Sequence, residues 1–311
     1  MKSHFPHSTN SSPKLTQDKE NKLIELFFHL DAFCIALQQW KLQTNRLTRP
    51  TRQPDLSDSE LMSICVFYQY SGYKCFQYYY QQMVEPILKS YFPKLISYER
   101  FLCLLTRILP GLYLFLKYRT LLSQETNLSF IDSKKLVVCH NRRIRSHRVL
   151  QGQAKRGKSS TGWFYGFKLH LVINNLGQIM NFLLTAGNLA DTNEEVLKTW
   201  LVNLKGEGYA DGGYLTKWFE FFYEKGLMLV TKISSNSKNS LVKMDQKIKL
   251  RKRAVIESVN DSLTSLFDIE HARHPKPVNA FAHLFSGLIA YCFYENKTSV
   301  YVPKAHKLFL A

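Results

Sequence analysis

Apolar residues recur at helical spacing through the first third of the chain. Over residues 23–42 they fall three or four positions apart, which predicts a helix that buries one face. Ser57 and Glu60 form a capping box directly before an apolar run, and this combination marks the start of a second helix. Two further segments have the same spacing, so residues 21–122 predict an all-α module. The helices predicted there are residues 23–42, a helix after Ser57, residues 75–88 and residues 98–117.

The pattern changes after residue 122, where strand-like segments alternate with helical ones. Residues 164–174 alternate, with apolar side chains on one face and Lys168 and His170 on the other. The element order is typical of a mixed five-stranded sheet with helices on its faces. We therefore predict an α/β domain of RNase H-like element order over residues 123–311, after the all-α N-terminal module. The predicted strands are residues 128–139, 164–174, 178–184, 208–211 and 227–233, and the predicted helices are residues 191–202, 215–225, 252–267 and 281–294.

Composition narrows the class of protein further. Residues 1–20 are polar and rich in Ser, His and Pro, so we expect a disordered tail without the apolar stretch of a secretory signal. The apolar runs look shorter than the ~18–20 residues that span a bilayer, so no membrane partner is expected. The six cysteines include no C-x-x-C pair, which argues against a disulfide framework or a zinc site and favours a reducing, cytoplasmic compartment.

Positive charge is concentrated in one segment. The chain carries 42 Lys and Arg against 24 Asp and Glu, which gives a formal net charge of +18. Residues 131–190 contain ten of these bases and a single acid, Asp132, and so hold half of the excess. Bases without acids are the electrostatic footprint of phosphate binding, whereas two glycines within residues 142–158 argue against a membrane-surface helix. The candidate DNA-binding bases are Lys134, Lys135, Arg142, Arg143, Arg145, Arg148, Lys155, Arg156, Lys158 and Lys168.

Three acids are candidates for chemistry. Asp132 interrupts an apolar strand, Asp211 ends a short strand before two glycines, and Glu257 lies within a helix. Each has a structural alternative: a satisfied core aspartate, an Asp-Gly turn, and a surface ion pair with Arg253 four residues earlier. Three acids that meet at the carboxyl edge of a sheet would suit Mg²⁺ or Mn²⁺. Two such ions would activate an attacking oxygen and stabilise the leaving 3′ oxygen of a phosphodiester.

Short motifs surround each acid and continue along most of the chain. Phe130-Ile-Asp-Ser-Lys134, Ala210-Asp-Gly-Gly-Tyr214 and Ile256-Glu-Ser-Val-Asn260 follow one another in that order. With further stretches between residues 56 and 295, they resemble the insertion-sequence DDE transposases, most closely the insertion-sequence 982 family. The further stretches are Tyr70-Ser-Gly-Tyr-Lys74, Ser97-Tyr-Glu-Arg-Phe101, Gly162-Trp-Phe-Tyr-Gly-Phe-Lys-Leu-His170, Thr185-Ala-Gly-Asn188 and Ile269-Glu-His-Ala-Arg-His274.

The resemblance implies a DNA transposase with a defined site. It makes Asp132, Asp211 and Glu257 both the catalytic triad and the ligands of Mg²⁺, for which Mn²⁺ can substitute, with two ions expected. The implied enzyme cuts at the terminal inverted repeats of its element and transfers the freed 3′-OH into target DNA. It would act as a homo-oligomer, expected to be a dimer, on double-stranded DNA. Residues 21–122 would bind DNA or assist assembly, residues 123–311 would form the catalytic domain, and a nucleoid-associated location in a prokaryotic cell is expected.

Some positions depart from the family pattern. Gly212 stands where a lysine usually follows the second aspartate. The signature Tyr-x2-Arg-x3-Glu-x6-Lys keeps Arg253 and Glu257, so Arg253 joins the DNA-binding candidates, but its two ends are Leu250 and Thr264. With all three acids present we favour an active transposase. A decayed copy that only binds DNA, and an RNase H-like nuclease without strand transfer, remain open alternatives.

Other polar residues near these motifs have structural interpretations. Asp191 precedes a helix, so an N-cap is expected there. Glu270 is expected to pair with Arg273 or His274. His170 is interpreted as a structural histidine within its strand and not as part of the catalytic set.

Overall fold

The computed structural model describes residues 14–44, 54–159, 161–214, 218–231, 244–270 and 274–301. The chain forms two compact units, Met1–Leu112 and Tyr113–Ala311. The helical unit thus ends ten residues before the boundary expected at residue 122. Of the expected tail, residues 1–13 lie outside the described residues. The first helix begins at Gln17, so residues 17–20 are helical and not disordered.

Helices make up the described part of the first unit. The predicted capping box is confirmed, because the Glu60 backbone N–H donates to the Ser57 hydroxyl at 3.1 Å and the Ser57 N–H donates to the Glu60 carboxylate at 2.7 Å. The helix predicted over residues 75–88 is broken into a short α-helix, a π-helical turn (Tyr80–Val84) and a separate 3₁₀ turn (Leu88–Ser90). The α-helices that begin in this unit are α1 (Gln17–Gln43), α2 (Asp58–Ser71), α3 (Phe76–Tyr79) and α4 (Tyr98–Leu121).

Helix α4 is long and apolar enough to cross a membrane by length and composition alone, with a mean hydropathy of 1.4 in its most apolar stretch. This corrects the expectation that no apolar run reaches that length. A core helix of a soluble protein passes the same test. Within the first unit, Phe101, Leu105 and Ile108 form a buried stripe at helical spacing, and Arg107 pairs with Asp58 at 2.7 Å. These contacts pack one face of α4 onto the first unit, and 33% of its most apolar stretch is buried.

The second unit contains a mixed sheet. All five predicted strands are present, and the described residues add a sixth, β2, where no strand was predicted. The order across the sheet is β2-β3-β1-β5-β6, and β4 pairs with β3 further along the edge that β2 also occupies. Strand β1 is antiparallel to β3 and parallel to β5. The strands are β1 (Leu128–Cys139), β2 (Lys155–Ser159), β3 (Gly162–Asn174), β4 (Ile179–Ala186), β5 (Gly206–Ala210) and β6 (Leu227–Thr231).

Helices flank this sheet and complete the predicted RNase H-like arrangement. The helix expected over residues 252–267 is present as a helix from Ala254 to Ser265, and a further helix over Met244–Lys252 precedes it. The helix expected over residues 191–202 begins at Glu194. Its N-cap is Asn193, whose side chain accepts from two backbone N–H groups. The N-cap expected at Asp191 is therefore wrong. The helices are α5 (Glu194–Leu201), α6 (Phe219–Glu224), α7 (Met244–Lys252), α8 (Ala254–Ser265) and α9 (Pro277–Cys292).

The sheet brings two of the candidate acids to one edge. Strand β5 pairs with β1 only over residues 128–130, and then ends at Ala210, directly before Asp211. Strand β1 continues past this point beside β3, with Asp132 among the first residues beyond β5. Because β1 and β5 are parallel, both aspartates lie where the carboxyl end of β5 meets the extended part of β1. The core below contains Ile131 and Trp200.

Candidate active site

Asp132 is a partly buried carboxylate on β1, with a side chain that is 24% exposed. Asn260 on α8 donates to its Oδ2 at 3.4 Å, and Arg253 lies 3.9 Å from its Oδ1. Burial raises the pKa of Asp132 to about 6, against the lowering influence of Arg253 and of a backbone hydrogen bond from Ser133. The charges of Glu257 and Asp211 raise it further. Asp132 thus experiences the charges of both other candidate acids.

Asp211 occupies an exposed turn at the end of β5. Its Oδ1 accepts a hydrogen bond from the Gly212 N–H at 2.8 Å, and its backbone carbonyl accepts from Tyr214 at 3.0 Å. The residue thus closes a single 3₁₀ turn, Gly212–Tyr214, as the Asp-Gly alternative expected. The turn also holds the Asp211 carboxylate at the sheet edge that Asp132 occupies. A role in the turn and a role as a catalytic acid are therefore compatible.

Glu257 extends from the first turn of α8 and is 60% exposed. The helix buries Val255, Ile256 and Val259, whereas Glu257 points away from these buried positions. Its Oε1 lies 3.2 Å from the guanidinium of Arg253, so the expected ion pair is present. The same guanidinium faces Asp132, and α8 therefore brings an acid, a base and the amide of Asn260 to one carboxylate.

Most of the candidate bases are exposed. Arg142, Arg143, Arg145 and Arg148 lie in the connection between β1 and β2, and Lys155, Arg156 and Lys158 lie on β2. We call these seven residues the basic segment. Two further candidates are engaged instead: Lys134 pairs with Glu270 at 2.9 Å, and Lys135 donates to the Thr161 hydroxyl. Of the partners expected for Glu270, Arg273 lies outside the described residues.

A comparison with protein families now adds to this geometry. The family described as Transposase DDE domain matches residues 122–277, half of the chain, and the match includes all three acids and the basic segment. The chain belongs to the DDE transposase family. No curated protein and no solved structure gives a significant match.

The donor chemistry of this transposase suits a divalent cation, because three carboxylates supply the oxygen ligands that Mg²⁺ and Mn²⁺ prefer. DDE transposases generally use such metals. Among the residues that the structure describes, no three acidic, His or Cys side chains are gathered closely enough to hold an ion as they stand. Arg253 instead lies against two of the three acids. The three carboxylates have the chemistry that a divalent metal requires. In this structure, however, the guanidinium of Arg253 neutralises Asp132 and Glu257.

Lys168 was expected to face DNA, but in the transposase both faces of β3 are covered and this residue is only 8% exposed. Its amine contacts Asp191 at 3.1 Å. His170 is fully buried beside the same carboxylate, donates to or accepts from Thr185 at 2.9 Å, and packs its ring on Trp200 at 5.0 Å. Burial lowers the pKa of His170 to about 4. Lys168 thus pairs with Asp191. The expectation that its amine faces DNA is wrong, because the residue is buried.

Sequence reasoning missed several residues that contribute to the site. Asn260, which contacts Asp132, lies three positions after Glu257, and that helical spacing was a signal for a shared face. Tyr214 is 5% exposed, and burial raises the pKa of its hydroxyl, with a further rise from the charges of Asp191 and Asp132. Trp163, 53% exposed beside β2, was quoted only as part of a motif.

Proposed function

We propose that the chain is an insertion-sequence transposase that cuts DNA at the ends of its element and joins the freed 3′-OH to target DNA. The proposal is supported by the DDE transposase domain over residues 122–277, in which Asp132 and Asp211 lie at adjoining positions of β1 and β5 and Arg253 contacts both Asp132 and Glu257. The motifs around them favour the insertion-sequence 982 family. A cytoplasmic, nucleoid-associated protein that binds two DNA ends as a dimer fits this activity.

In this proposal Asp132, Asp211 and Glu257 are the catalytic acids and would hold Mg²⁺ or Mn²⁺, with two ions expected. When bound, such ions stabilise negative charge on a phosphodiester and favour deprotonation of water. Other residues of the chain orient the acids and bind the DNA. Asn260 orients the carboxylate of Asp132, and the basic segment binds the DNA backbone. Water and the 3′-OH are the nucleophiles, so no Ser or Tyr nucleophile is needed.

Separate substitutions of the acids test this assignment. Asp132→Ala and Glu257→Ala are each expected to abolish cleavage of a duplex that carries the element's own end, in Mg²⁺, while the protein still binds that duplex. Asp261→Ala is the matched control, because Asp261 is an exposed acid one turn further along α8. Cleavage retained by either of the first two variants contradicts the three-acid assignment.

A second candidate is a transposase-derived protein that binds DNA without cutting it. Gly212 and Thr264, which replace two basic positions of the family pattern, favour this alternative. It predicts tight binding of end DNA and no cleavage in either Mg²⁺ or Mn²⁺. A nuclease without strand transfer is distinguished by a third assay, in which a pre-cut end with a free 3′-OH is offered together with target DNA. Only a transposase joins them.

A further inference from the structure

Trp163 is an exposed indole at the start of β3, within a strongly basic surface. It is 53% exposed. The guanidinium carbon of Arg156 lies 4.8 Å from the ring centre, and the Lys158 amine lies 6.0 Å from it. Both bases are on β2, and Lys158 is the direct cross-strand neighbour of Trp163. Arg156 makes a cation–π contact, and Lys158 lies at the outer limit for one.

The backbone around Trp163 is held on two sides while the ring remains accessible. Strand β2 pairs with it, and the side-chain amide of Asn141 donates to the Trp163 carbonyl at 2.8 Å. Asn141 opens the short 3₁₀ turn that carries Arg142 and Arg143. The backbone of Trp163 is therefore held in place at the surface, and its accessible ring contacts Arg156.

Strand register places this indole on the same face of the sheet as Asp132. Asp132 pairs with Leu171 on β3, and Trp163 lies eight residues before Leu171 on the same strand. The ladder shifts register once in this stretch, between Val137 and Cys139, and the extra residue lies on β1, so the residues of β3 run without interruption. Side chains an even number of residues apart point to the same face of a strand. At about 3.4 Å per residue, the indole lies roughly 27 Å along β3 from the candidate acid. The length of DNA that spans this distance is about eight nucleotides, at 3.4 Å per base step.

The chemistry around Trp163 favours one class of partner. From Ser133 to Ala190 the sequence contains no acid, so a polyanion is attracted and an ordinary mixed-charge protein surface is not specifically matched. Aromatic rings in basic grooves bind nucleic acid by stacking on bases, and any base offers the required flat face. A paired base is already stacked between its neighbours, whereas an unpaired base is free to pack on the indole.

We propose that Trp163 is a stacking platform for an unpaired base of bound DNA, with Arg156 and Lys158 binding the adjoining phosphates. This inference rests on the proposed DNA transposase function and adds a contact that the acids do not provide. It predicts a preference for DNA that is locally unpaired. The site would hold distorted DNA on the face of the sheet that carries Asp132.

The test compares two probes with the full chain: a blunt DNA duplex, and the same duplex with a central run of unpaired thymidines. Trp163→Ala is expected to weaken binding of the looped probe about tenfold, as loss of one base–aromatic stack does, and to change binding of the blunt duplex little. Trp163→Phe keeps a flat ring and should retain most of the preference. Tyr223→Ala is the control, because Tyr223 is another exposed aromatic residue of the same unit.

A second measurement reports on stacking directly. A 2-aminopurine placed in the unpaired run should lose fluorescence when the wild-type chain or Trp163→Phe binds, and should lose much less with Trp163→Ala. Equal weakening of both probes by Trp163→Ala, or no weakening of either, overturns the stacking site. Thermal melting shows whether each variant is folded. If the wild-type chain binds neither probe, the proposed DNA-binding function fails instead, so the two failures are distinguishable.

Discussion

The guanidinium of Arg253 lies 3.9 Å from the carboxylate of Asp132, and its other terminal nitrogen lies 3.2 Å from Glu257. One cation, placed between α7 and α8, thus faces two of the three candidate acids. After burial, Arg253 is the largest influence on the pKa of Asp132, and it acts in the direction that favours the ionised form. Arg253 therefore has the electrostatic role that a divalent cation would have between the same carboxylates.

Removing this guanidinium should make the acids bind metal more tightly. Arg253→Gln leaves Asp132 and Glu257 without their shared countercharge, so in the absence of DNA we expect Mn²⁺ affinity to rise roughly tenfold, because a nearby positive charge is lost. Titration calorimetry with Mn²⁺ measures the change. Arg253→Lys keeps the charge and should stay near wild type.

Arg251→Gln is the matched control for this experiment, since Arg251 is an exposed arginine in the last turn of α7. It should leave Mn²⁺ affinity unchanged. An Arg253→Gln protein that binds Mn²⁺ no better than wild type would show that the guanidinium and the metal do not compete. The inference that these acids share a metal would then lose its electrostatic support.

The fold was predictable where the local pattern was strong. Alternation and apolar runs found the five principal strands, and an aspartate within an apolar strand drew attention to Asp132. Strand β2 was not predictable in the same way. Its sequence, Lys-Arg-Gly-Lys-Ser, carries no apolar alternation, and it is a strand because its backbone pairs with β3. Such pairing depends on the partner and not on local side-chain pattern.

The local sequence pattern also could not predict contacts between side chains that are far apart in the chain. Alternation in β3 correctly separated Lys168 from the apolar positions but could not show that its face is covered as well. The pairing of Lys168 with Asp191 depends on where the loop before α5 returns to the sheet. Asp191 and Asn193 are both suitable N-caps, and the structure uses Asn193, which leaves Asp191 available for this contact.

The stability of the metal-free protein should depend on Asp132 and on pH. The pKa of this acid is raised from 3.8 to about 6 in the fold, so the folded protein binds its proton more tightly than the unfolded chain does. The stabilisation that this bound proton gives to the folded protein is complete below about pH 4 and is lost as the pH rises through about 6. Asp132→Asn removes the buried charge and should stabilise the protein at pH 7–8 by on the order of 2–3 kcal/mol. Urea unfolding in the presence of a chelator, across this pH range, measures the effect.

Asp261→Asn is the control for that pH series and should change the free energy of unfolding little, because the residue is exposed. The difference between Asp132→Asn and wild type should shrink as the pH falls to about 4. A difference that stays constant with pH would mean that the stabilisation comes from packing and not from relief of a buried charge.

The contact between Lys168 and Asp191 should contribute to stability. Asp191→Asn leaves a buried ammonium without its countercharge, which is expected to cost about 1–3 kcal/mol because Asp191 itself is one-third exposed and partly screened. Lys168→Met replaces the amine with an apolar chain of similar length. The double variant should be more stable than Asp191→Asn alone, since the unpaired charge is gone.

A surface pair provides the comparison for this cycle. Glu194 and Lys198 pair at 2.6 Å within α5, and both side chains are more than one-third exposed. Glu194→Gln is therefore expected to cost at most about 0.5 kcal/mol. If Asp191→Asn costs no more than this, Lys168 does not depend on Asp191, and the buried contact is energetically equivalent to a surface pair.

The salt dependence of DNA binding should identify which bases contact phosphate. Arg142 and Arg143 are exposed and are expected to bind the backbone, so Arg142→Gln together with Arg143→Gln should reduce the slope of log affinity against log salt by about two. Lys225→Gln removes an exposed base of the same unit outside the basic segment and should leave the slope unchanged. Fluorescence anisotropy over a range of salt concentrations, with a fixed duplex, measures both slopes. If net charge alone controls binding, the single Lys225→Gln substitution should reduce the slope by about half as much as the double arginine substitution. A fall confined to the arginine variant places phosphates against the connection between β1 and β2.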